Sequence, residues 1–502
     1  MGQIDRSSPI PIYHQLKALI QDRIASGLWG PGDCIPTQKE MCQEHGVSRA
    51  PVRQALNELV QEGTLVRRPG LGTFVNDQAT TPSPAQTTVR LMTSDGVFQS
   101  EVLPDVSRAW KERHPDQEIG FQVTLVKHSQ FYNELSQAVG SGTAPDIAMV
   151  DCVLVAGLAE SGFIYDLESL NSGWDHAELV KDLYPAFVAA NSCHGRLYGL
   201  PVTADTALLW YRKDWFAQEG LEPPRNWDDL LHAAQYFLQP DVRARYNLVH
   251  PLVFPGGTSG GEATVYTLMP FVWSASEALH AGGSFIDGPG TRRALTFLRE
   301  LVTHYRVVAP EVATYRENTS PRLFAKGKVA MALGGSYEGT LIRSISGWEG
   351  EAFLERVGCV APPAAPGGPP VSTVGGNSYV VLRQCHQPRL AMDILEVATD
   401  PAVIGHQIQS LWLNSPHPSF DTQPAPEVAP LLAQIKYMIA SSRARPSIPE
   451  YVKVSRQLQA MFEAALSTTT PIDEIVARTT EFIRVLTDSP FLPLQAPPNR
   501  SF

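Results

Sequence analysis

PTQKEMCQEHGVSRAPVRQALNELVQEGTLVRRPGLGTFV, residues 36–75, passes from helical to extended periodicity. A short helix is predicted over 38–44, with a tight turn at Gly46-Val47. Ser48, a residue type that accepts from free helix N–H groups, caps a second helix running to about Glu62. Met41, Val52, Leu56 and Leu59 recur at helical spacing, so both helices can share one small core. Pro51 falls in the first turn of the second helix, where a backbone N–H would have no intrahelical partner. Beyond Gly63 come a strand (64–68), a Pro-Gly-Leu-Gly turn and a second strand (73–75). Helix, turn, helix and hairpin make a winged helix-turn-helix, which lays its second helix in the DNA major groove.

Upstream, Ile12, Tyr13, Leu16, Leu19, Ile20 and Ile24 line one face of a helix expected to stop at Gly27. PIYHQLKALIQDRIASGLWGPGDCIPTQKE, GVSRAPVRQALNELVQEG and GLGTFV together resemble the DNA-binding domain of the GntR family of bacterial repressors, over about the first 76 residues. The resemblance implies that Lys39, Ser48, Arg49, Arg53 and, in the wing, Arg68, Gly70 and Gly72 face DNA. Arginine suits bidentate contacts with guanine edges or with phosphates, and glycine lets the wing backbone approach the minor groove. The chain departs from the commoner family pattern at Ala50 and Pro51, where a threonine is usual.

At 502 residues the chain exceeds the usual size of one domain. Its 43% hydrophobic and 18% charged content describe a soluble globular protein with ample core. The net charge of −11 argues against a protein coated in nucleic acid. Residues 1–76 hold 8 of the 40 basic and 7 of the 51 acidic side chains, leaving 32 and 44 elsewhere. A near-neutral reader joined to an acidic body attracts DNA locally, not globally. The six cysteines show neither CxxC nor a metal-ligand spacing, so free thiols and no metal are expected. No apolar run is long enough for a membrane span, and MGQIDRSSPIPIYHQ lacks the apolar core of a secretion signal. A cytoplasmic protein is expected.

Residues 77–87, polar with two prolines, read as a linker. From Thr88, strands at 89–92, 119–125 and 147–150 alternate with helices at 102–113 (carrying Trp110) and 131–139, the latter ending at Gly140. Such alternation predicts an α/β domain with a largely parallel sheet. SGTAPDIAMVD, GLAESGFIYDLESL, GRLYGLPVTADTALLWYRKDWFAQEGLEPPRNWDDL, FAKGKVAMALGGSYE, TVGGNSYVVL and RARPSIPEYVKVSRQLQ follow in an order that resembles the family 1 extracellular solute-binding proteins of ABC sugar importers. The resemblance implies a maltose-binding-protein-like, type II periplasmic-binding fold over 88–490, with a tail at 491–502. Its two α/β lobes would be joined by crossings near 202–206, 372–377 and 434–445 and would close over a solute.

Carboxylates and amides bind sugar hydroxyls, and aromatic faces cover the C–H surface of the ring. The resemblance makes Asp205 the polar anchor. Asp151, ending a buried strand, and Asp95, just past the first, sit where ligands gather in open α/β folds; a helix cap is the alternative for each. Tyr337 stands where the family places a stacking aromatic, with Gly335 letting its loop approach a ring. Trp273 resembles a cleft tryptophan of related binders, and Trp412 is a third platform or a core residue. Trp210, Trp110, Trp215 and Trp227 are assigned to packing. Asn377 at a crossing can donate to a hydroxyl, and Arg445 offers a sugar contact or a salt bridge.

No GxSxG, HExxH or GxxxxGK[ST] is present, so no catalytic residue and no cofactor is expected. The expected protein is a homodimeric regulator on double-stranded operator DNA, controlled by a sugar-like effector held between the lobes. The alternative is a solute-binding protein without regulatory coupling.

Overall fold

The computed structural model describes residues 12–25, 28–30, 32–61, 64–68, 72–76, 87–170, 180–276, 283–286, 288–420, 428–487 and 491–493. Gly27, Gly70, the linker up to Ala85-Gln86 and the tail beyond Pro493 lie outside them. The chain divides into two compact units: residues 1–94, 103–148 and 381–394, and residues 95–102, 149–380 and 395–502.

In the first unit, α1 (Ile12–Ala25), α2 (Gln38–His45) and α3 (Arg49–Gln61) precede a hairpin of β1 (Leu65–Arg68) and β2 (Gly72–Val75). Leu16 and Ile20 of α1 join Met41, Val52, Leu56, Leu59, Leu65 and Val75 in one buried core, as the spacing predicts. α2 opens on a reciprocal cap: Glu40 N–H donates to the Thr37 hydroxyl and Thr37 N–H to the Glu40 carboxylate. It closes on Gly46 in the left-handed region (φ 64). α3 begins one residue after Ser48, in agreement with the expected boundary. The hairpin gains a third extended segment that local patterning does not reveal. Cys34 bridges to Phe74, Ile35 N–H donates to Thr73 O, and Val75 N–H to Asp33 O.

The rest of the first unit carries β3 (Thr87–Thr93) paired in parallel with β4 (Ile119–Leu125) throughout and with Ile147 and Ala148 of β5 (Ile147–Asp151). The first helix of this region runs Gly96–Arg113, beginning earlier than the apolar pattern indicates. The next, Phe131–Ser141, ends on Gly142 (φ 74) and not on Gly140, because the left-handed cap falls two residues later. Thr87, assigned to the linker, opens β3.

In the second unit the strand Asp205–Arg212 is central. It pairs antiparallel with Met331–Gly335 on one side and with Val357–Val360 on the other, while Leu252–Val253 runs parallel to Met331–Gly335. This sheet is mixed, unlike the parallel pairing of β3, β4 and β5. Side chains alternate across a strand, so Leu209 and Tyr211 enter one apolar cluster and Leu208 and Trp210 another. Phe491–Pro493, assigned to the tail, pairs with Gly283–Phe285.

The three segments expected to cross between lobes come together here. The Thr206 hydroxyl lies 2.8 Å from that of Ser372 and 2.7 Å from that of Ser442, all three buried. Val202 N–H donates to Asn377 O (2.9 Å) and Val374 N–H to Arg443 O (2.8 Å).

Candidate functional site

The helix Glu262–Ala275 enters the second unit from a glycine-rich turn, and residues 263–275 are all buried. Its first turn brings Glu262 and Tyr266, four residues apart on one face, to the segment that carries Asp205. The Tyr266 hydroxyl donates to Asp205 Oδ1 at 2.6 Å. Burial, and then the Asp205 carboxylate, hold that hydroxyl well above the usual phenol range, so it stays protonated. The Tyr266 ring stands 6.0 Å from that of Tyr337, tilted by 56°. Asp205 and Tyr337, far apart in sequence, therefore meet through a third residue.

Two glycines permit this approach. A Cβ on Gly335 would lie 2.2 Å from Tyr337 Cε1, and one on Gly375 would lie 2.2 Å from Asp205 Oδ1 and 2.8 Å from Tyr266 Cε2. The loop bearing Gly335 and Tyr337 is tied to the first crossing segment by Ser336 N–H to Thr206 O (2.9 Å) and Thr206 N–H to Ser336 Oγ (3.1 Å). The indole N–H of Trp210, a core residue as expected, donates to Gly335 O at 3.1 Å.

Arg445 sits behind the tyrosine, 4% exposed, with its guanidinium 5.2 Å from the Tyr266 ring centroid. It donates to Glu262 Oε1 at 2.7 Å and to Asp151 Oδ1 at 3.3 Å. The salt-bridge reading is therefore the one the structure takes. Burial disfavours its charge, but Asp151 and then Glu262 outweigh burial and raise its pKa further. Glu262 also accepts from the Tyr451 hydroxyl (2.6 Å) and from Ser455, which share a face of the helix Tyr451–Ser467.

Other expectations are met differently. Asp151 accepts from Val153 N–H besides pairing with Arg445, so it is both a cap and a member of the cluster. Asp95 caps the helix it precedes, accepting from Phe98 N–H at 2.9 Å. The Asn377 backbone holds the crossing, its N–H donating to Thr203 Oγ1. Trp273, expected at the cleft, is fully buried in the core that contains Trp227 and Phe271, two turns or about 10 Å along its helix from Tyr266. Trp412 packs its edge against Phe353 at 5.1 Å and carries the Arg343 guanidinium over its ring at 3.9 Å. Sequence reading missed Tyr266, Glu262, Tyr451 and Ser455; the i, i+4 spacings of Glu262 with Tyr266 and of Tyr451 with Ser455 are the signal that was available.

Beneath Tyr337 lies Glu338, 3% exposed, with Oε2 lacking a hydrogen-bond partner among the described residues. Burial first, and Glu317 second, push its carboxyl well above its ordinary 4.5. The folded chain keeps a proton that the unfolded chain sheds, so stability falls as pH rises above about 4.5. Glu338→Gln, neutral at every pH, is expected to flatten that part of the pH dependence of the urea midpoint. An unchanged slope would show that Glu338 is ionised in the fold.

At the DNA-reading end, Arg49 and Arg53 are exposed one turn apart on α3, beside the stripe of buried Val52, Leu56 and Leu59. Lys39 and Ser48 are exposed as well. Arg68 stacks over Phe74 at 4.8 Å, and Gly72 is exposed with φ 129.

The sequence profile described as "Bacterial extracellular solute-binding protein" matches residues 91–404, and that of "Bacterial regulatory proteins, gntR family" matches 12–75. The chain is 47% identical over 74 residues to the histidine utilization repressor of Klebsiella aerogenes, which spans 15% of this chain and 31% of that protein. It is 27% identical over 261 residues to a probable ABC transporter-binding protein of Deinococcus radiodurans, 51% of this chain and 58% of that one. The chain thus covers less than two thirds of either relative. Among solved structures, an ABC transporter solute-binding protein from Thermotoga lettingae bound with α-D-tagatose superposes with a TM-score of 0.67 at 24% identity, over 80% of this chain and 100% of that one. Maltose-bound MalE3 of T. maritima gives 0.67 at 23% identity with the same coverage. These likenesses establish the two-lobed solute-binding fold. The chain belongs to the bacterial extracellular solute-binding protein family and carries a GntR-family helix-turn-helix domain at its N-terminus.

Proposed function

We propose that this protein is a transcriptional regulator whose affinity for operator DNA is set by a polyhydroxylated solute bound at the Asp205–Tyr266–Tyr337 cluster. One observation carries the reading: a carboxylate, a phenol hydroxyl and a second aromatic ring share one small region beside a buried guanidinium. This is the donor, acceptor and ring-face set that a sugar or polyol requires. The solved relatives bound with tagatose and maltose support that ligand class. Regulation rests on the GntR-type domain joined to this binding fold in one chain.

The cluster's charge narrows the ligand further. Asp151 and Glu262 pair with a single guanidinium, Arg445, and the Asp205 carboxylate accepts from Tyr266 beside it, so three carboxylates stand against one cation. An excess of carboxylates repels phosphorylated or acidic sugars and accepts neutral polyols and amino sugars. The domain limits proposed are 1–76 for DNA reading, a linker that ends at 86 because Thr87 opens β3, and a solute-binding region extended from 88–490 to take in Thr87 and the paired strand 491–493. The protein acts by binding, without catalysis, in the compartment that holds DNA. It acts as a homodimer, since two winged helices on a two-fold operator multiply the contacts of one.

The test is thermal unfolding of the full chain against neutral sugars, polyols, amino sugars and sugar phosphates. A ligand that binds only the folded state at 100 times its Kd adds about 2.7 kcal/mol to stability. At least one neutral or amino compound is expected to raise the midpoint, and Asp205→Asn to remove that rise. Stabilisation by sugar phosphates alone would overturn the ligand class.

A further inference from the structure

A hairpin outside this site gathers three metal-binding side chains. Ser192–Cys193 pairs antiparallel with Arg196–Leu197 around a two-residue turn, His194-Gly195, in which both residues are left-handed (φ 48 and 77). Such a turn matches the twist of its strands and is ordinarily built from asparagine, aspartate or glycine. Neighbouring side chains on a regular strand point to opposite faces. The left-handed backbone at His194 releases its ring from that alternation. The ring reaches Glu160, at the C-terminal end of the helix Val155–Glu160, with Nε2 2.8 Å from Oε2. One ligand atom each from Glu160, Cys193 and His194 lies within 4.8 Å of the other two. Among the described residues no other set of three or more His, Cys, Asp or Glu side chains meets that condition.

We propose that Glu160, Cys193 and His194 form a zinc site whose fourth position is open to solvent. Sulfur, imidazole nitrogen and carboxylate oxygen are the donors that zinc combines, whereas calcium and magnesium require oxygen throughout. The metal replaces the proton of the Cys193 thiol and displaces the direct His194–Glu160 hydrogen bond; no electron is transferred. Cys193 is 7% exposed, while the Glu160 and His194 side chains are 51% and 77% exposed, so the site has a buried sulfur and an open mouth through which an ion can enter. Sequence spacing conceals it, since Glu160 lies on a separate helix.

The test uses the full chain, reduced with a phosphine and stripped with a chelator, titrated with cobalt and then zinc. One equivalent of cobalt is expected to give a thiolate-to-metal charge-transfer band, which zinc abolishes. Cys193→Ser is expected to lose the band. Glu160→Gln/His194→Asn is expected to weaken zinc binding by at least the roughly 10- to 100-fold that even outer-shell partners cost. Both residues of that double variant are exposed, and asparagine is at ease in a left-handed turn, so it remains informative if Cys193→Ser fails to fold. A band that persists in Cys193→Ser, or zinc affinity equal in wild type and the double variant, would overturn the site.

Discussion

Arg445→Ala is expected to lower the stability of the solute-binding fold by about 3–5 kcal/mol, read as a fall in the denaturant midpoint. The size follows from what the substitution leaves behind. Glu262 loses one of its three side-chain donors, Asp151 loses its cationic partner while keeping the Val153 N–H and the Cys152 thiol, and both remain largely buried. An unpaired charge in such surroundings retains its desolvation cost with nothing to offset it. Arg445→Lys should recover part of the loss, because one ammonium cannot span two carboxylates as a guanidinium fork does. Solute binding should fall with stability in Arg445→Ala, since the same guanidinium stands against the Tyr266 ring. A variant as stable as the parent would mean that Asp151 and Glu262 do not depend on Arg445.

The second large effect is expected on DNA. Arg49→Ala and Arg53→Ala should each weaken operator binding by about 1–3 kcal/mol, or roughly 5- to 150-fold, at fixed salt. Both side chains are exposed on α3 and take no part in the core of that domain, so their removal leaves that core intact. Salt titration separates the two kinds of contact. A base-edge arginine changes the preference for one base pair, whereas a phosphate-contacting one reduces the salt slope by about 1. Operator binding unaffected by both substitutions would place the DNA-reading face elsewhere.

How far these sites were legible in the sequence depends on how local they are. The winged helix was legible almost to the residue because its helices, turn and hairpin each carry their own caps and periodicity. The third extended segment at Asp33–Ile35 escaped because it is defined by hydrogen bonds to Thr73, Phe74 and Val75, not by its own pattern. Asp205 and Tyr337 were legible only through resemblance, and what links them was not. Tyr266 belongs to a mostly apolar helix whose residues 263–275 are all buried, so its immediate surroundings read as core and do not mark it as polar machinery. Trp273, on the same helix, packs in the core two turns from Tyr266, a difference in position that side-chain type alone does not reveal. Glu262, Arg445, Tyr451 and Asp151 come from separate segments, and their ion and hydrogen bonds exist only once the chain has folded.

Operator DNA titrated with the full chain, with and without a neutral polyhydroxylated solute that raises its unfolding midpoint, tests the regulatory reading most directly. The expected result is a shift in operator Kd of about 5- to 150-fold, the usual range for coupled sites. Asp205→Asn should abolish the shift while leaving the solute-free Kd unchanged. A solute that stabilises the protein yet leaves operator affinity untouched would contradict the coupling, and a shift that persists in Asp205→Asn would contradict the site.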